Sequence, residues 1–153
     1  FMTDEGEFDS QNRAFYSAAH KKYFAYFRGE HEPDGDVLPI DRSYTEILPD
    51  VAKEWERIDR EYKIPYFPHV SVGWDNNPRY KGFRPGIMKD TTPENIEKAL
   101  RMAKEYVDTH DLPVPLVTIN SWNEWTETSY LQPDDVYGYG YLEAVRNVFG
   151  PAK

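Results

Sequence analysis

The sequence predicts an α/β fold in which parallel strands alternate with amphipathic helices, and three observations carry that expectation. Two near-continuous apolar runs, residues 65–74 and 112–120, have the composition of buried parallel strands. Stretches with apolar residues three and four positions apart stand before, between and after these runs. Each run also leads into a polar, aromatic-rich segment, at the strand end where open sheets and eight-fold barrels place their sites. A length of 153 residues suits one domain, residues 1–153, with a sizeable core.

The elements follow in order. Residues 1–12 are polar and acidic and read as a frayed end. Arg13 to Arg28 turns aromatic, with Phe15, Tyr16, Tyr23, Phe24, Tyr26 and Phe27, and reads as a helix to Lys22 followed by a short strand. The Pro, Gly and Asp content of residues 29–43 predicts a loop. Tyr44, Ile47, Leu48, Val51, Trp55, Ile58 and Tyr62 form the stripe of an amphipathic helix, with Pro49 marking its first turn or a kink. The run from Pro65 to Trp74 is a strand ending in Gly73-Trp74-Asp75, and residues 75–91, which lack an apolar period, are a long loop. Thr92-Pro93-Glu94 starts a helix, with the hydroxyl at the N-cap, proline at the first position and an acid in the first turn. Its stripe of Ile96, Ala99, Leu100, Ala103 and Val107 runs to Thr109. Leu112 to Asn120 is the next strand, and Tyr137 to Phe149 a last helix. In this arrangement the loops after the two strands line one cleft, and the sheet edges are left open.

Charge and composition narrow the function. The net charge is −9 with no basic run longer than a Lys pair, which disfavours nucleic acid and anionic lipid as partners. No apolar stretch approaches the ~20 residues of a membrane span. The N-terminus lacks the basic and apolar regions of a signal peptide, and because Phe1 precedes the first methionine the expected reading is a chain whose natural start lies elsewhere. The compartment stays open. With no cysteine there is neither a disulfide nor a thiolate metal site. The 12 Tyr and 4 Trp, many beside polar residues, suit a sugar cleft or ordinary wall material.

The segment Ser121-Trp122-Asn123-Glu124-Trp125-Thr126-Glu127 holds the candidate chemistry. If the chain turns helically after Asn123, Glu124 and Glu127 share a face with Cβ atoms about 5–6 Å apart. Paired carboxylates near that spacing can hydrolyse a glycoside, one protonating the leaving oxygen while the other acts on the sugar. The plain alternative is a solvated pair on a first helical turn. Asn123 can orient a hydroxyl and Trp122 can stack on a ring, although core packing and a loop cap explain both equally well. Asp75 and Arg79, with Asn76 and Asn77 between them, suit hydroxyl recognition or a plain Asp-Asn turn bridged to Arg79. His69 reads as a satisfied interior histidine, and His20, His31 and His110 are scattered without acids at ligand spacing, so no metal is expected. There is no Gly-x-Gly-x-x-Gly, P-loop or nucleophile elbow. No cofactor is expected.

Trp122-Asn123-Glu124-Trp125-Thr126-Glu127, followed by Tyr130-Leu131-Gln132-Pro133-Asp134 and Gly140-Tyr141-Leu142-Glu143-Ala144-Val145, resembles the end of the WbsX-like proteins, relatives of glycoside hydrolase family 99. Gly73-Trp74-Asp75-Asn76-Asn77-Pro78-Arg79 resembles their other recurring motif. The likeness spans residues 60–150 and implies a (β/α)8 TIM barrel, of which this chain is the C-terminal portion. The open edges are then covered by the rest of the barrel or by a second chain.

Family 99 enzymes are retaining endo-acting α-mannosidases and α-mannanases. By position, the resemblance makes Glu124 the base and Glu127 the acid. It implies that the base takes the proton of the sugar 2-hydroxyl, whose oxygen attacks C1, and that the acid, which must hold a proton near neutral pH, serves the leaving oxygen. Trp74, Asp75, Arg79, Trp122, Asn123, Trp125 and Tyr130 would bind an oligosaccharide or polysaccharide. Thr126 stands where the hydrolases carry His, Thr128 where they carry Gly and Gln132 where a Glu is usual, departures that bear on the sugar bound rather than on the two-acid chemistry. WbsX-like proteins are also labelled glycosyltransferases of surface polysaccharide synthesis, which would require an activated donor. A non-catalytic carbohydrate-binding domain is the third reading, and it requires the two carboxylates to point apart or to be tied up by basic partners.

Overall fold

The computed structural model describes residues 13–17, 22–26 and 41–150. It divides into two units, one of residues 1–38 and one of residues 39–153. In the first, β1 (Arg13–Ser17) pairs antiparallel with β2 (Lys22–Tyr26), setting Phe15 opposite Phe24 and Tyr16 opposite Tyr23. The expected helix to Lys22 is therefore corrected to a strand. Aromatic residues fit a pleated ladder better than a helix, and no clean helical period opposes them. The loop expected over residues 29–43 lies mostly outside the described residues.

The second unit carries the core. After β3 (Arg42–Ser43), α1 (Tyr44–Glu61) begins with the Glu46 carboxylate accepting the Ser43 N–H at 3.3 Å. Pro49 lies inside α1 and does not begin it. α2 (Pro93–Thr109) starts as its sequence predicts, the Thr92 hydroxyl accepting the Asn95 N–H. Ile96, Leu100 and Ala103 of α2 are fully buried against Val70 and Val72, and α2 lies against both α1 and α3 (Gly140–Phe149).

The strands are shorter than the apolar runs that contain them. β4 (His69–Ser71) and β6 (Thr118–Asn120) pair in parallel, His69 opposite Thr118 and Ser71 opposite Asn120, with α2 in the connection between them. Pro65 and Pro68 precede β4, and Pro113 and Pro115 precede β6. Proline has no N–H to give a ladder, so pairing starts only after each proline pair. Leu116 and Val114, expected in a buried strand, are 43 % and 50 % exposed. A second parallel pair joins β3 to β5 (Met88–Lys89), inside what the sequence reads as a plain loop. α3 starts at Gly140, not Tyr137, because residues 134–138 close a turn in which one Asp134 carboxylate oxygen accepts from the N–H groups of Val136 and Tyr137.

The outcome is an α/β unit with parallel pairing and helices packed outside, as expected. Val70 of β4 faces the helices. His69, Thr118 and Asn120 stand exposed on the opposite face, with the His69 imidazole 2.9 Å from the Thr118 hydroxyl. That histidine is hydrogen-bonded, but it is not enclosed.

Candidate functional site

Both site segments leave the same ends of the parallel ladder. From β4 the chain passes through Val72 and Gly73 into the segment Trp74–Arg79. The Asp75 carboxylate accepts from the Asn77 N–H at 2.8 Å and from its side-chain amide at 2.7 Å, closing the turn that opens a 3-10 helix over Asn77–Arg79. The Asn77 side chain also clasps the backbone of Arg84 through two hydrogen bonds. Arg79, the last residue of this turn, is thereby presented on a braced loop.

From β6 the chain crosses a cis Asn120–Ser121 peptide into a small hairpin of β7 (Asn123–Glu124) and β8 (Ser129–Tyr130), joined by a 3-10 turn, Trp125–Glu127. Ser121 holds its base, accepting the Glu124 N–H and donating to the Ser129 carbonyl. The helical turn expected after Asn123 is thus a single 3-10 turn, which carries Glu127 but leaves Glu124 on the strand.

The two segments are pressed together. The Asp75 N–H donates to the Glu127 carbonyl at 2.8 Å and the Thr128 hydroxyl to the Asp75 carbonyl at 3.1 Å. Gly73 is the closest point of approach, since a Cβ there would sit 2.1 Å from the Thr128 carbonyl oxygen. Contact between the loops therefore depends on glycine having no side chain.

Glu124 and Glu127 converge on Arg79. Its Nη2 lies 3.1 Å from Glu124 Oε1 and its Nη1 lies 3.0 Å from Glu127 Oε1. Arg79 Nε donates to the Thr126 hydroxyl at 2.9 Å, and that hydroxyl donates to Glu124 Oε1 at 2.9 Å. One guanidinium bridges the pair, so the two carboxylates face a common centre. Glu127 is the more enclosed acid, at 13 % exposure against 39 % for Glu124. The carboxylates do not point apart, but both are tied to a basic partner, which is one of the two arrangements that the non-catalytic reading expects.

The other expected site residues surround this centre. Trp122 is 53 % exposed and Asn123 is exposed. Trp125 stacks on Tyr130 at 3.9 Å between centroids, and its indole N–H donates to Gln132 Oε1 at 2.8 Å. Burial, with the Asp134 carboxylate nearby, holds the Tyr130 phenol above its ordinary value. Trp74 is half-buried and its carbonyl accepts the Met88 N–H. Thr126, Ser121 and Gln132 are the contributors that the site list drawn from sequence omits. The sequence signals for Thr126 are a hydroxyl placed between the two candidate acids and its standing where the resembling hydrolases carry His. Among the described residues no group of three His, Asp or Glu could hold a metal ion, and no helix is long and apolar enough to cross a membrane.

Comparison with known proteins adds to this geometry. Residues 7–145 match the model of a family described as Glycosyltransferase WbsX. The chain is 34 % identical over 113 residues to an uncharacterized protein, WxcX, of Xanthomonas campestris pv. campestris, covering 73 % of this chain and 15 % of that protein. The protein of the same name in a second strain is 34 % identical over 99 residues, covering 63 % and 14 %. The chain thus spans only a small part of the relatives it matches. No solved structure matches.

Proposed function

The chain belongs to the Glycosyltransferase WbsX family, and from that premise we propose that Glu124 and Glu127 are the reacting pair of a site that cleaves α-linked glycans with retention. The observation that supports this most is their convergence, from a strand and a 3-10 turn, at the end of a parallel ladder. In this reading Glu124 removes the proton of the sugar 2-hydroxyl, O2 closes on C1, and Glu127 protonates the departing oxygen. Water then opens the 1,2-anhydro ring at C1, losing a proton to Glu127 while Glu124 returns its proton to O2, so both groups regain their starting states. Glu127 must leave its ion pair with Arg79 to carry that proton. The exposed Trp122, Asn123 and Trp125 are the proposed sugar contacts, with Trp74, Asp75 and Tyr130 behind them. The supporting scaffold is proposed to be part of a (β/α)8 barrel.

A second reading has its own support. The family description favours transfer to another sugar, in which an acceptor hydroxyl takes the place of water at the same pair of acids or an activated donor is used. The test is product release from a panel of α-mannans and other bacterial polysaccharides by the intact protein, with and without sugar acceptors and nucleotide-sugar donors. Hydrolysis that falls at least about 10²-fold in both Glu124→Gln and Glu127→Gln supports the proposal. Products that form only with a donor move the transferase ahead, and glycan binding without turnover under any condition leaves the binding domain.

A further inference from the structure

Arg79 is the one cation that touches both candidate acids among the described residues, and each of its three nitrogens is engaged: Nη2 by Glu124, Nη1 by Glu127 and Nε by Thr126. We propose that Arg79 is a positioning residue that sets the separation and orientation of the two carboxylates, with Thr126 fixing the plane of its guanidinium. The inference rests on the reading of Glu124 and Glu127 as the reacting pair.

Three features carry it. The loop bearing Arg79 is braced independently of any ligand, by the Asp75 turn and by the clasp of Asn77 on Arg84. A planar fork with donors in fixed directions can set the relative placement of two carboxylates, whereas a lysine ammonium acts as a point charge. Thr126 closes the arrangement, accepting from Arg79 Nε and donating to Glu124, so the base is held from two sides. Three of the five N–H donors of Arg79 are engaged by protein groups, so its orientation is set before any sugar arrives. When Glu127 leaves to carry its proton, Nε and Nη2 keep Arg79 and Glu124 in place.

The test compares Arg79→Lys, Arg79→Gln, Arg79→Ala and Thr126→Ala in the intact protein. If Arg79 positions the acids, Arg79→Lys lowers kcat by about 10²-fold while KM stays within about threefold, since a displacement on the order of 1 Å at the reacting groups costs that much. Thr126→Ala costs about fivefold in kcat. Guanidinium added to Arg79→Ala restores part of the lost kcat, and glycan binding by Glu127→Gln is unchanged when Arg79→Gln is added. A KM that rises at least tenfold with kcat retained, or glycan binding lost in that double variant, makes Arg79 a sugar ligand and overturns the proposal.

A substrate-free measurement separates this inference from the reading beneath it. The Arg79 side-chain NH resonances should be slowly exchanging and hindered in rotation, and should lose that hindrance in Glu124→Gln and in Thr126→Ala. If the hindrance is seen but both glutamate variants keep full turnover, the two-acid reading has failed while the clamp stands. If Arg79 rotates freely in the unaltered protein, the clamp has failed whatever the activity. Because Arg79 is 42 % exposed, its replacements should fold, and thermal unfolding checks that they do.

Discussion

Thr128 shows how one residue is caught between two demands. It adopts φ 52°, in the left-handed region, where a β-branched side chain is a genuine outlier costing about 1–2 kcal/mol. The same hydroxyl donates to the Asp75 carbonyl across the two loops, and a hydrogen bond of that kind contributes about 1 kcal/mol. The terms nearly cancel. Thr128→Gly should therefore change stability by less than about 1 kcal/mol, relieving the backbone as it loses the bond. Thr128→Val keeps the strain and loses the bond, so it should destabilise by about 1–2 kcal/mol. Denaturant unfolding of both variants is the check: since both lose the bond, a larger loss in Thr128→Gly than in Thr128→Val would show that the left-handed backbone is not strained at this position.

At the scale of elements, Gly73 decides whether the two loops can meet. An added Cβ would overlap the Thr128 carbonyl oxygen, a backbone atom that cannot swing aside, so the loops must part. Gly73→Ala is expected to destabilise by about 1–3 kcal/mol and to cost turnover about 10²-fold, because Arg79 and the two acids sit on opposite sides of that contact. Gly82 is the control: nothing lies within 4 Å of a Cβ built there, and Gly82→Ala should stay within about 0.5 kcal/mol of the parent. Equal effects of the two substitutions would refute the loop-contact argument. The same contrast shows what was legible in advance. The Thr92-Pro93 start of α2 and its buried stripe were readable, because cap chemistry and a 3.6-residue period are local properties. The strand lengths were not, since apolar content counted Pro65, Pro68, Pro113 and Pro115 as strand while the ladder cannot use them. The acids and Arg79 were each visible as residue types. Their meeting was not, because it depends on long-range contacts between loops about fifty residues apart.

The molecule as a whole leans on tyrosines that must stay protonated. Tyr44 donates its hydroxyl to the Ser71 carbonyl, tying α1 to β4, and Tyr141 donates to the Thr91 carbonyl, tying α3 to the start of α2. Burial pushes both phenols well above their ordinary value. Tyr106, packed edge-on against Trp55 and stacked on His110, is pushed up to about 12 by burial and by the nearby Asp59 and Glu56 carboxylates. A folded-state value above the unfolded one means that the unfolded chain releases its protons first as pH rises. The contribution of these groups is fully present below pH ~10 and is lost progressively as pH climbs through about 12. Melting temperature should thus hold through neutral pH and fall beyond ~10. The Tyr106 hydroxyl differs in having no hydrogen-bond partner among the described residues. Tyr106→Phe should therefore be neutral or mildly stabilising at pH 7 and should flatten the alkaline fall, whereas Tyr44→Phe and Tyr141→Phe should each cost about 1 kcal/mol at neutral pH. If Tyr106→Phe costs as much at neutral pH as the other two, its hydroxyl is bonded in solution, and the core is held at a third tyrosine as well.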